Sequence, residues 1–165
     1  MENAIRQYER DWQSFNRIYQ QMAVTNDITF GELSMLLALE SHKFYATNRQ
    51  LVLDTGLSKQ TISSMVQKLT QQEMMALKTN PADKRSRVIT LTPAGQKWAG
   101  KILQAVHMIE ERALEQVGIE KFKQLNKINA ELIEKMEEQV KKCCLCSLVR
   151  SRNCLNVAYR SPNLA

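Results

Sequence analysis

Between Ser58 and Lys68 the chain reads SKQTISSMVQK. At about 100° per residue, Gln60, Ser64 and Gln67 fall on one side of a helix, and Ile62, Met65, Val66 and Leu69 fall on the other. The polar side carries amides, hydroxyls and cations, with no acid until Glu73. An ordinary solvent-facing helix alternates Glu with Lys, whereas this composition suits a surface laid against phosphates and base edges. Ser58 and Lys59, and Thr47 upstream, sit at helix starts, where free N–H groups and the dipole favour phosphate. Gln60, Ser64 and Gln67 are placed to reach the floor of a major groove, flanked by Thr61, Ser63 and Lys68. Glutamine pairs best with adenine. No arginine, the strongest guanine reader, occupies this face, so the expected duplex is A·T-rich.

A second basic cluster follows. The segment NPADKRSR is a Pro-containing turn between two β-capable runs, Ala76 to Lys78 and Arg87 to Leu91, so a hairpin fits better than another helix. Lys84, Arg85 and Arg87 would project from its tip. A cation so placed enters the narrow minor groove of A·T-rich DNA, where the negative potential is enhanced. Asp83 is read as orienting Arg85 or Arg87 through a charge-assisted hydrogen bond. Of the formal net charge of +6, residues 78–87 carry +3 and residues 143–165 carry +3. Any field that meets a polyanion is therefore local.

The elements that must hold these residues are mostly helical. Five Gly, three Pro and 6% aromatic residues in 165 argue against a turn-rich β fold. Ile5, Tyr8, Trp12, Phe15, Tyr19 and Met22 recur at alternating steps of three and four, as one stripe of an amphipathic helix does. Thr29 with Glu32, and Thr47 with Gln50, have capping-box spacing; Gly56 then supplies a turn and Ser58 caps a helix over 59–72, giving a helix-turn-helix. Thr92-Pro93 opens a long helix that Gly118 ends, and Phe122, Leu125, Ile128, Leu132, Met136 and Val140 define a last one. The long helices carry more apolar surface than a small DNA-binding unit can cover, which predicts a dimer. The fold class expected is mainly α with a small β-wing.

Other chemistries find no residues. The chain has no Gly-rich phosphate loop, no Ser/His/Asp set and no carboxylate pair outside charged helix faces, so neither catalysis nor a cofactor is expected. His42 and His107 stand on different elements with no metal-ligand spacing around them, so no metal site is expected there. No apolar run is long enough for a membrane span and the first residues are polar, which predicts a cytoplasmic protein without a membrane partner. All four cysteines, Cys143, Cys144, Cys146 and Cys154, lie in the last stretch, whose composition changes abruptly after Lys142. Their spacing is not that of a zinc finger.

The order LSKQTISSMVQKL, then NPADKRSRVITLTPAG, then a long helix resembles the winged-helix regulators of the MarR (multiple antibiotic resistance regulator) family. The likeness covers residues 29–100 in motif and 1–142 in layout. It implies a homodimeric repressor, with residues 1–28 and 93–142 as helical dimerisation domain and 29–92 as winged helix-turn-helix domain. Helix 59–72 would lie in the major groove and the 78–91 wing in the minor groove, with Arg85 at the family's wing arginine. The matching DNA would be a pseudo-palindromic operator. The family's small lipophilic effectors would require a pocket, for which Tyr8, Trp12, Phe15, Tyr19, Met35 and Trp98 are candidate walls, although such an aromatic stripe serves equally as core. Two residues depart from the pattern: Glu73 stands where the family has glycine, and Leu77 where a basic residue is common. Residues 143–165 are read as a disordered tail. The alternative is a helical sensor or interaction protein acting through its dimer domain and a metal- or redox-responsive cysteine tail.

Overall fold

The computed structural model describes residues 2–148. In chain order the elements are α1 (Glu2–Thr25), α2 (Phe30–Ser41), β1 (Tyr45–Thr47), α3 (Asn48–Thr55), α4 (Lys59–Gln71), β2 (Met75–Thr79), β3 (Arg87–Leu91), α5 (Pro93–Val117) and α6 (Ile119–Leu148). The expected class holds: helices with a small wing sheet.

Local hydrogen bonds set the helix ends. Thr29 Oγ1 accepts the Glu32 N–H at 3.1 Å while Glu32 Oε2 accepts the Thr29 N–H at 2.8 Å, closing the capping box of α2. Thr47 and Gln50 repeat it for α3. Gly56 ends α3 at a left-handed φ of 68°, and Ser58 caps α4 by accepting the Thr61 N–H at 3.0 Å. The hairpin joins β2 to β3 antiparallel, with Met75 opposite Leu91 and Thr79 opposite Arg87. The third strand, β1, lies outside what the sequence predicts. It pairs with the other edge of β3, Ala46 opposite Ile89, so the order is β1-β3-β2. Three residues are too few to show an alternation, and β1 exists because buried β3 needs partners for the groups on its second edge.

The junction between β3 and α5 is tightly built. Thr92 Oγ1 accepts the Gly95 N–H at 2.9 Å and donates to the Glu73 carbonyl at 2.6 Å, while the Thr92 N–H donates to the Met74 carbonyl at 3.1 Å. A Cβ on Gly95 would lie 1.8 Å from the Met74 carbonyl oxygen, so only glycine lets α5 start this close to the turn that leads into β2. Glu73 takes a left-handed φ of 58°. The turn after α4 needs a conformation that glycine adopts freely and glutamate does not.

The core gathers Leu33, Leu36 and Leu39 of α2, Leu51 of α3, Ile62, Val66 and Leu69 of α4, and Ile89 and Leu91 of β3. Met22 and Ala23 of α1 and Ala99, Ile102, Leu103 and Val106 of α5 belong to the same core. The compact unit that contains it takes in all of α1 and ends inside α5, at Glu110. Residues from 111 on form a second unit, in which Gly118, at φ 91°, separates α5 from α6 as its position predicts. Helix α6 continues past Lys142 to Leu148; the rest of the expected tail lies outside the described residues. Among the described residues no helix is long and apolar enough to cross a membrane.

Gly95 and Glu73 make opposite predictions. Gly95→Ala should destabilise the protein by about 3 kcal/mol, because a backbone carbonyl occupies the space of the new methyl. Glu73→Gly should stabilise it by about 1 kcal/mol by removing left-handed strain. Urea unfolding of the two variants measures both.

Candidate nucleic-acid interface

The apolar stripe of α4 is sequestered at Ile62, Val66 and Leu69, which turns Lys59, Gln60, Thr61, Ser63, Ser64, Gln67 and Lys68 to the surface. Gln71, which the sequence reading passed over, is exposed on the same face because it lies four residues beyond Gln67. Ser58 is committed to the cap of α4, where its hydroxyl also pairs with that of Thr61 at 2.8 Å. Thr47, expected at a phosphate, is likewise engaged in its own fold: its hydroxyl donates to Gln50 Oε1 at 2.8 Å.

The first turn of α3 adds a residue that no sequence pattern marked. Asn48 Nδ2 donates to Ser63 Oγ at 3.1 Å, linking α3 to the outward flank of α4 across 15 residues of sequence. Beside this bond a cavity of about 340 Å³ opens between α4 and the wing, lined by Asn48, Ser63, Gln67, Thr70, Leu77 and Arg87 among others. Asn48 Oδ1 and Thr70 Oγ1 are buried without a hydrogen-bond partner.

At the wing tip Asp83, Lys84, Arg85 and Arg87 are all exposed. The expected role of Asp83 is corrected in its detail. Its Oδ1 accepts the backbone N–H of Arg85 at 3.0 Å, and among the described ion pairs none joins Asp83 to an arginine. The carboxylate shapes the turn as an Asx side chain does, and the guanidinium of Arg85 is left to the surface. Asn80 closes the other side of the tip, its N–H donating to the Ser86 carbonyl at 3.1 Å and its Oδ1 accepting the Ala82 N–H at 3.0 Å.

Lys68 has a partner that its place in the sequence does not reveal. Its Nζ donates to Glu32 Oε1 at 2.8 Å. Burial would push the Glu32 carboxyl up, but hydrogen bonds from Lys68 and from the backbone and hydroxyl of Thr29 outweigh it, and the group titrates below its ordinary value.

The six residues considered as effector walls are not brought together within one cavity. Tyr8, Trp12 and Phe15 are exposed along α1, Met35 is fully buried, and Trp98 borders a separate hollow beside Lys68 and Gln72. Helical spacing reveals a stripe but not what faces it. Tyr19 instead joins a polar cluster across three helices. Its hydroxyl donates to Glu110 Oε1, His107 Nδ1 meets Glu110 Oε2 at 3.0 Å, and His107 Nε2 meets Glu40 Oε2 at 2.9 Å. Burial, then the bond to Glu110, pushes the Tyr19 phenol up to about 12. The bond to Glu110 raises His107 above the ordinary histidine value, burial opposes this, and Glu40 adds to the rise. Among the described residues no group of three or more His, Cys, Asp or Glu side chains is arranged to hold a metal ion.

A three-helix core, an exposed polar second helix and a cation-tipped hairpin define a winged helix-turn-helix protein. Comparison with known proteins narrows the fold. A solved MarR family regulator from Neisseria meningitidis superposes with a TM-score of 0.74 at 18% identity, over 84% of this chain and 97% of that one. The transcriptional repressor CouR, solved bound to a 23-mer DNA duplex, superposes with a TM-score of 0.61 at 18% identity, over 76% of this chain and 89% of that one. In sequence, the HTH-type transcriptional repressor NicR of Pseudomonas putida is 25% identical over 103 residues, 62% of this chain. The match spans 65% of NicR's length. No protein-family model matches the chain. The fold is that of the MarR-family regulators.

The polar cluster predicts a pH dependence. A raised histidine stabilises the fold fully below its unfolded pKa, and that contribution is lost as pH rises through the folded value. The stability difference between the wild type and His107→Gln should thus be largest near pH 6 and shrink as the pH rises above neutrality. Thermal unfolding across this range would show a flatter profile for the variant.

Proposed function

We propose that this chain is a MarR-type, DNA-binding transcriptional repressor that acts as a homodimer and has no enzymatic role. One observation carries the reading: the exposed face of α4, made of amides, hydroxyls and cations without an acid, lies next to a wing with four exposed cations, Lys78, Lys84, Arg85 and Arg87. In this reading α4 enters the major groove, with Gln60, Ser64, Gln67 and Gln71 towards base edges and Lys59 towards phosphate. Arg85 and its neighbours Lys84 and Arg87 enter the flanking minor groove. Structural kinship with a repressor bound to a DNA duplex supports it.

Dimerisation is supported by apolar surface that the single chain leaves open. Ile5, Tyr8, Trp12, Phe15 and Ile18 of α1 are exposed, as are Leu125, Ile128, Leu132, Met136 and Val140 of α6. A second copy covering such stripes would set the two α4 helices at a fixed separation. An operator read by both requires about 34 Å, one turn of DNA, so a modest shift caused by a small lipophilic effector would release it. A pseudo-palindromic, A·T-rich operator and a cytoplasmic location belong to the same reading.

Selection from random duplexes should return A·T-rich half-sites. On the selected duplex, Gln60→Ala should cost about 1–3 kcal/mol of specific binding and leave the salt dependence unchanged. Arg85→Ala should reduce the slope of log K against log salt by about one per subunit. Gel shifts at several salt concentrations decide this; G·C-rich sites, or slopes insensitive to Arg85, would refute the assignment.

A further inference from the structure

The two flanks of α4 differ in charge. On the wing side its neighbours include the exposed Arg87. On the opposite side, a hollow of about 380 Å³ brings Lys68 and Gln72 together with Asp27, Glu32, Met74 and Trp98. Two carboxylates stand on this flank, and Lys68 is the cation among its lining residues.

The demand for that cation comes from Glu32. Its side chain is 5% exposed, and Oε2 is already taken by the N–H and the hydroxyl of Thr29. Oε1 faces Lys68 Nζ at 2.8 Å. A carboxylate this buried requires a paired charge, and removing the partner would leave it uncompensated. Lys68 remains 56% exposed, so its stem reaches over the surface of the lobe to the first turn of α2.

Resting on the DNA-binding reading above, we infer that Lys68 is a positioning residue of the recognition helix and not a phosphate contact. Its bond to Glu32 ties the C-terminal half of α4 to the N-terminus of α2, 36 residues away, and so holds the angle at which α4 presents Gln60, Ser64 and Gln67. The same bond withholds one cation from DNA and leaves this flank without free positive charge. Phosphate affinity is thereby biased to the wing side, so that sequence-independent binding stays low while the reading face stays aligned.

The test uses the full chain and four proteins: wild type, Lys68→Met, Glu32→Gln and the double variant. Glutamine at position 32 keeps the capping box, and methionine keeps the stem of Lys68 without its charge. Each is titrated with the duplex selected by the wild type and with a random-sequence duplex, over a range of salt. Lys68→Met should leave the salt slope unchanged but lower discrimination between the duplexes about tenfold. Glu32→Gln should free Lys68, steepening the slope by about one per subunit and tightening binding to the random duplex, and adding Lys68→Met should cancel both effects. Without DNA, urea unfolding of the same set should give a non-additive double-mutant cycle. A slope reduced by Lys68→Met alone would make Lys68 a phosphate contact and overturn the inference, as would strictly additive stabilities. Failure of the wild type to bind any duplex would overturn the DNA-binding reading and this inference with it.

Discussion

The rotation of α4 about its own axis is fixed by the burial of Ile62, Val66 and Leu69, and the rest of the molecule follows from that constraint. A helix with one apolar stripe has one way to sit on a core, and at about 100° per residue the position of every other side chain is then determined. That core is shared with residues of α1, α2, α3, the sheet and α5. What faces outward is the remainder of the sequence of α4, and that remainder is unusual in lacking acids.

Charge is managed at close range around this helix. Glu32, the carboxylate to which Lys68 of α4 donates, is capped, buried and paired, so it adds no free negative potential to the face. At the wing, Asp83 is turned inward onto the backbone of its own turn, which leaves the neighbouring cations exposed. Both acids thus serve geometry. A polyanion approaching the lobe would meet a basic hairpin and a hydrogen-bonding helix face that carries cations and no acid, although the sequence around each contains carboxylates.

Features written within one turn of helix were legible in the sequence. The capping boxes at Thr29 and Thr47, the cap at Ser58, the Thr92-Pro93 start and the break at Gly118 all depend on neighbours three or four positions away. The exposed face of α4 was legible for the same reason, since periodicity alone separates Gln60 and Ser64 from Ile62 and Val66. Illegible were the features that depend on distant partners. Strand β1 needs β3, Asn48 needs Ser63, and the ammonium of Lys68 needs a carboxylate from α2. Tyr19 and Trp98 could be assigned to stripes but not to surroundings, so a shared pocket did not follow. Glu73 was an intermediate case: its departure from glycine was visible, while the left-handed backbone that makes it matter was not.

Gly95 gives the lobe a mechanical property. With the Met74 carbonyl occupying the volume where a side chain would be, α5 bears directly on the main chain of the turn that leads into β2, with no flexible group between them to absorb a displacement. Thr92 bolts the same corner from the side by gripping the turn at Glu73. The first turn of α5 and the turn at the base of the hairpin are therefore joined main chain to main chain, and the two cannot be repacked independently.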